Sequence, residues 1–194
     1  MNASLLKDYA PTKETISLHG LGFIQVKLPA NRRLHVWHPD LPRRDCFRYS
    51  AIHNHRFAFR STVLVGQQLN QRCDLVIHPA GTHDVISHDG PRSVNGGRIS
   101  FVAGRVNIVT RDVEEYSPGE SYEMRELEYH STPNQGVVVT LMEKLHEGRI
   151  HACSVVERPH AFHEAFDRFQ WPADRLWQCV VYALARAGEG DLRS

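Results

Sequence analysis

Three observations predict an all-β fold with a C-terminal helical extension. Short runs that alternate apolar and polar residues, or are rich in β-branched ones, recur between residues 22 and 156. Turn residues separate them, and the apolar period becomes helical only after Pro172. Many short strands at this spacing read as a barrel or a sandwich. The chain has 194 residues, enough for one domain with modest extensions.

The first strand signal is Gly22 to Leu28, which alternates, and the second is Arg33 to His38. Phe59 to Val65 is apolar and β-branched and stops at Gly66. Leu75-Val76-Ile77 runs into the turn Pro79-Ala80-Gly81. Residues 81–98, with His83, His88 and Gly96-Gly97, read as a long loop. Ile99 to Val102, Asn107 to Thr110, Gly136 to Met142 and Ala152 to Val156 are the later strands. Pro159 to Phe169 reads as a short helix. Pro172 opens a second helix that places Leu176, Val180, Ala183 and Leu184 on one face and ends at Ala187-Gly188. Residues 1–157 are therefore expected to form the barrel and its N-terminal strands. Residues 158–194 form a helical extension packed on it, within a single domain.

Composition narrows the function classes. The formal net charge is +1, with 41% hydrophobic and 23% charged residues, so nothing marks a nucleic-acid binder. No apolar run approaches the length of a membrane span, and none near Met1 is long enough for a signal peptide. A cytoplasmic location is expected, without nucleic-acid or membrane partners. Cys46, Cys73, Cys153 and Cys179 are scattered, form no CxxC pair and read as free thiols. Thirteen histidines are the unusual feature.

His53-Asn54-His55 carries the strongest chemical signal. In an extended chain, residues two apart project to the same side, so both imidazoles can converge on one metal ion. His-Asn-His also occurs in nucleases of that name, but those need a helix after the motif, and the residues after His55 read as strand. Downstream, Gly119, His130 and Asn134 follow one another before the apolar run Val137 to Met142, expected to be a central strand.

This pattern resembles the two-part signature of the cupin superfamily. The family's first motif is His-x-His, then Glu, then Gly. Its second is Gly, Pro-x-Gly, His and Asn. Gly66, Gly119, His130 and Asn134 fall at the family's spacing. The opening glycine of the first motif is replaced by Phe47, and the Pro and Gly of the second by Arg125 and Leu127. The Glu slot falls on Phe59 or Arg60, and 52 residues separate Gly66 from Gly119. The resemblance covers roughly residues 45–143. It implies a double-stranded β-helix, or jelly-roll barrel, with a three-histidine site similar to that of the thiol dioxygenase branch. The implied ligands are His53, His55 and His130. His83, after Pro79-Ala80-Gly81, is the alternative third ligand.

Fe(II) is the implied metal, with Ni, Mn or Zn also suited to imidazole. Three neutral histidines leave coordination positions open and the full dication uncompensated, which favours a small anionic substrate. Arg60 is a candidate to bind a substrate carboxylate if it points inward. Its alternative is an outward side chain, with Phe59 or Ser61 facing in. Tyr122 and Tyr129 are candidate catalytic hydroxyls. Glu126 and Glu128 flank His130 and read as solvated. His35 and His38 read as surface or edge residues, His88 as a solvated loop residue, and His160 with His163 as one helical face. The expected function is an iron-dependent, dioxygenase-like reaction on a small anionic substrate, with thiols as one class. A non-catalytic binding or structural barrel and another metal-dependent activity are the alternatives, and a homodimer is the expected assembly.

Overall fold

In the computed structural model, residues 11–90, 99–148, 151–162 and 166–190 are described. Eleven strands and one α-helix follow in order: β1 (Ile16–His19), β2 (Phe23–Leu28), β3 (Arg32–Trp37), β4 (Phe57–Val65), β5 (Gln68–Ile77), β6 (His83–Asp89), β7 (Ile99–Tyr116), β8 (Ser121–Met124), β9 (Tyr129–Ser131), β10 (Val138–Glu147), β11 (Ala152–Glu157) and α1 (Ala173–Gly190). They build two antiparallel sheets, ordered β1-β2-β3-β10-β4-β8 and β11-β6-β7-β5-β9. The expected all-β class with a C-terminal helix is what forms, as a sandwich whose second sheet curls into a half-barrel.

The run Val137 to Met142 lies on β10, hydrogen-bonded on one side to β3 and on the other to β4, so it is central as its apolar character required. Gly66 ends β4 with a φ of +73°, and a Cβ there would lie against the Val137 carbonyl oxygen. Only glycine fits that close approach.

Three expectations are corrected. Residues 83–89 of the supposed long loop are strand β6, paired to β11 and β7. Their β-pattern, with Val85 and Ile86 buried, is short enough to hide between polar neighbours. Gly96-Gly97 lies outside the described residues. No helix forms at 159–162 or 166–169, where the chain runs in turns, and His163 is outside the described residues. The helix α1 runs on past Gly188 to Gly190.

The six-stranded sheet has two unlike faces. On one, Ile16, Leu18, Ile24, Val26, Leu34, Val36 and Val139 are all 1% exposed or less. Leu176, Val180 and Ala183 of α1 pack on that face and complete the largest apolar cluster. The hydrophobic core therefore lies under the helix, where burial of apolar area supplies the main stabilising term. On the other face, Ser17, Gln25, His35 and Thr140 stand side by side on β1, β2, β3 and β10, in register. The next row carries Lys27, Arg33, Met142 and Ser61. This face is polar yet turned toward the second sheet. A polar interior is costly for a purely structural core. A few placed polar groups are what fix a ligand's orientation in a binding cavity.

Candidate metal centre

His53 sits where the curled sheet closes. It forms β-bridges to His130 of β9 and to Ser154 of β11, the two edge strands of the five-stranded sheet. The His53 and His130 backbones exchange both amide bonds, each 2.9 Å long. On the other side the Asn54 amide donates to the Cys153 carbonyl at 3.0 Å, and the Val155 amide to the Ile52 carbonyl at 2.8 Å. Asn54 projects the opposite way from its two histidine neighbours and is buried. Its Oδ1 accepts from the Cys153 amide at 2.6 Å, while its Nδ2 donates to the Leu127 carbonyl at 3.5 Å. Thus the central residue of His-Asn-His anchors the segment, and alternation aims both imidazoles at one point.

The three rings converge. His53 and His55 have centroids 4.8 Å apart, His53 and His130 4.7 Å, and His55 and His130 5.3 Å. One ligating nitrogen from each lies within 4.8 Å of the others. Hydrogen bonding sets the tautomers. His53 Nδ1 is 2.9 Å from the Ala51 carbonyl, and His130 Nδ1 is 2.7 Å from Asn70 Oδ1. Neither oxygen can donate in that arrangement, because Asn70 Nδ2 is itself donating to Glu114 Oε2 at 2.9 Å. Both rings therefore carry their proton on Nδ1 and offer a lone pair on Nε2, which a metal ligand requires. Arg72 braces Glu114 at 2.9 Å and Glu128 at 2.8 Å, so a charged network backs the Asn70 contact.

His55 Nε2 and His130 Nε2 are 3.1 Å apart, a hydrogen bond in which His55 is the donor. That separation also tests the fit to a metal. With metal–nitrogen bonds of about 2.1 Å, ligands at right angles lie about 3.0 Å apart and tetrahedral ones about 3.4 Å. The observed pair is nearer the right-angle value, as on one face of an octahedron. All three rings are neutral at pH 7. Burial pulls His53 down to about 4 against the help of its Ala51 contact. Burial, reinforced by His53, holds His55 and His130 well below the ordinary value. Neutral imidazoles bind a cation without first releasing protons.

His53 and His55 open on a cavity of about 310 Å3 between the sheets, with the more deeply buried His130 behind them. Phe57 and Phe59 pack against the His55 ring at 5.2 and 4.9 Å. Among the described residues, the cavity wall carries six Lys and Arg residues and no Asp or Glu.

The other expected site residues are elsewhere. His83 is on β6 facing Thr82, whose Oγ1 is 2.9 Å from its Nδ1, so it is not the third ligand. Arg60 projects from the outer side of β4 and pairs with Glu123 at 2.7 Å, because alternation turns Phe59 and Ser61 inward instead. Tyr122 is buried behind Phe59, stacks on Tyr116 at 4.8 Å and bonds Ser61. Burial raises its hydroxyl to about 12. Tyr129 points to the opposite side of β9 from His130, beside the Cys153 thiol, and burial raises it too. Neither tyrosine touches the cluster. Glu126 pairs with His146, and Glu128 with Arg72 and Arg111. His160 stacks on Tyr49.

Sequence reasoning missed the residues that face the cavity from the sheet floor. His35 is half-buried, and its Nε2 is shut away from solvent with no partner. His88 also lines the cavity, held by Ser100 and Ser154 at 2.9 and 2.8 Å. For His35 a signal existed. Leu34 and Val36 take the core face, which turns Arg33, His35 and Trp37 the other way. Arg168 lies in an irregular stretch and has no periodic signal.

Fold and site together define a two-sheet β half-barrel with a buried three-histidine cluster that could hold a metal ion. Compared with protein-family models, with curated proteins and with solved structures, the chain matches none.

Proposed function

We propose that this chain is a metal-dependent, dioxygenase-like enzyme of the cupin type, with ferrous iron as its metal and a small anionic substrate, thiols being one class. The observation that carries the reading is the set of Nε2 lone pairs, fixed by Ala51 and Asn70, beside a cavity walled by cations. His53, His55 and His130 would hold the metal. Iron in such a site supplies the capacity to bring dioxygen and a substrate together. The protein itself contributes the ligand set, a cation-rich wall that attracts an anion, and the Phe57–Phe59 wall that keeps water from one side of His55.

Elemental analysis of untagged protein beside His130→Ala tests the metal. The expected result is near-stoichiometric iron, lost in the variant, and dioxygen uptake with a substrate only in the wild type. No metal uptake from anaerobic iron, nickel or zinc would eliminate the enzyme reading. A second reading, a non-catalytic binding barrel, is supported by one observation: neither Tyr122 nor Tyr129 reaches the cluster as an acid or base. It predicts ligand binding with no turnover in the iron-loaded protein.

A further inference from the structure

The cavity wall holds two guanidinium groups that form no ion pair among the described residues. Arg33, on the floor of the six-stranded sheet, donates to Gln25 Oε1 at 3.1 Å and forms no ion pair among the described residues. Arg168 is brought in by the segment before α1, where its carbonyl accepts from the Leu18 amide at 3.0 Å. Its Nη2 donates to Ser17 Oγ at 2.6 Å, while its Nε is buried with no partner. Burial lowers both from the ordinary arginine value; on Arg33 the Glu147 carboxylate opposes that effect, while the Arg168 charge adds to it. The neighbouring cations are in a different condition. Arg56 and Lys144 share Glu147 at 3.0 and 3.5 Å. Between the two arginines lies the row Ser17, Gln25 and His35, whose buried Nε2 is a second polar atom without a partner. Two half-buried like charges with open donors on one cavity wall favour an anion that joins them.

We propose that Arg33 and Arg168 form an oxyanion subsite that grips a carboxylate or phosphate of a small organic ligand, with His35 contributing a hydrogen bond. The remainder of that ligand runs along Phe57 to the histidine cluster. Phe57 links the two ends: the Arg33 guanidinium lies 5.4 Å from its ring, and the His55 ring lies 5.2 Å from it on the same wall. The ligand is thus two-ended, an oxyanion at one end and a donor for the metal at the other. The cavity, about 310 Å3, is at the lower limit for small-molecule sites, so the ligand is compact. Guanidinium forks match planar oxyanions in two-point fashion, which explains arginine rather than lysine at both positions. This inference rests on the proposed function for what lies at the far end of the ligand, but the subsite itself needs no metal.

The test is calorimetric titration of metal-free protein with 3-mercaptopropionate, 2-mercaptoethanol and inorganic phosphate, with metal content followed separately. Binding of 3-mercaptopropionate but not 2-mercaptoethanol is expected, weakened at least about tenfold in Arg33→Gln and in Arg168→Gln. Phosphate binding with the same arginine dependence would also support the subsite and identify its group as a phosphate. Arg168→Lys, which keeps the charge and loses the fork, is expected to weaken binding as well. Without ligand, Arg168→Gln should unfold no more readily than wild type, since it removes a half-buried charge that has no ion pair among the described residues; a purely structural arginine would leave it less stable. Equal affinity in wild type and both Gln variants, or no binding of either oxyanion, overturns the subsite. If those variants keep their metal, the metal reading stands apart from that outcome.

Discussion

Acidification should unfold the metal-free protein well above the pH at which ordinary carboxylates titrate. His35, His53, His55 and His130 are all buried and neutral. Burial takes His35 to about 3 and His53 to about 4, against a free value of 6.5. Because the folded values are depressed, the unfolded chain binds more protons between pH 6.5 and 4. Stability is therefore full above pH 6.5 and falls as pH falls. Each pH unit in that window costs about 1.4 kcal/mol per group, so His35 and His53 each lose about 2 kcal/mol between pH 7 and pH 5. Those two together remove about 4 kcal/mol, a large share of the about 5–15 kcal/mol stability of a typical domain, and His55 and His130, depressed in the same direction, add to the loss. Urea unfolding of chelator-treated protein at pH 7, 6 and 5 checks this. A change smaller than about 2 kcal/mol over that range would refute the reasoning, since it would mean the imidazoles are solvated or already charged. A saturating metal should deepen stability at pH 7 and steepen its loss on acidification, as protons compete for the same nitrogens.

Asn70→Ala removes the acceptor that orients His130 and is expected to weaken metal binding about 10- to 100-fold, read by competition with a chromophoric chelator. An unchanged affinity would show that Asn70 does not set the tautomer. Arg60→Ala should leave metal affinity unchanged and shift stability by less than about 1 kcal/mol, because its Glu123 pair is exposed. Loss of metal in that variant would mean Arg60 reaches the cavity after all. Leu176→Ala, at a position 1% exposed beneath α1, is expected to cost about 2–5 kcal/mol in denaturant unfolding. A near-neutral result would argue that the helix does not seal the apolar core.

The all-β class, the central place of β10 and the convergence of His53 with His55 were legible in the chain because each rests on a local rule. Alternation decides which side chains share a face, and the apolar runs decide which strands are covered on both sides. His130 was legible only through its spacing to Gly119 and Asn134. Its contact with His53 is a backbone bridge between segments far apart in sequence, and nothing local dictates that pairing. Register decided Arg60 against Phe59 and Ser61, since a one-residue slip exchanges the faces. The inversion of the six-stranded sheet, with its apolar core outside under α1 and its polar row inside, had a trace in the pattern of β3. Alternation marks two faces but not which one a helix will cover. Arg168 shows the limit most plainly: a turn residue with no periodicity reaches Ser17 and the cavity only because the chain folds back across β1. Local periodicity thus determined the elements and one pair of the clustered histidines. The third histidine, its contact with Asn70 and the cationic wall came from long-range closure, which only the packed tertiary structure decides.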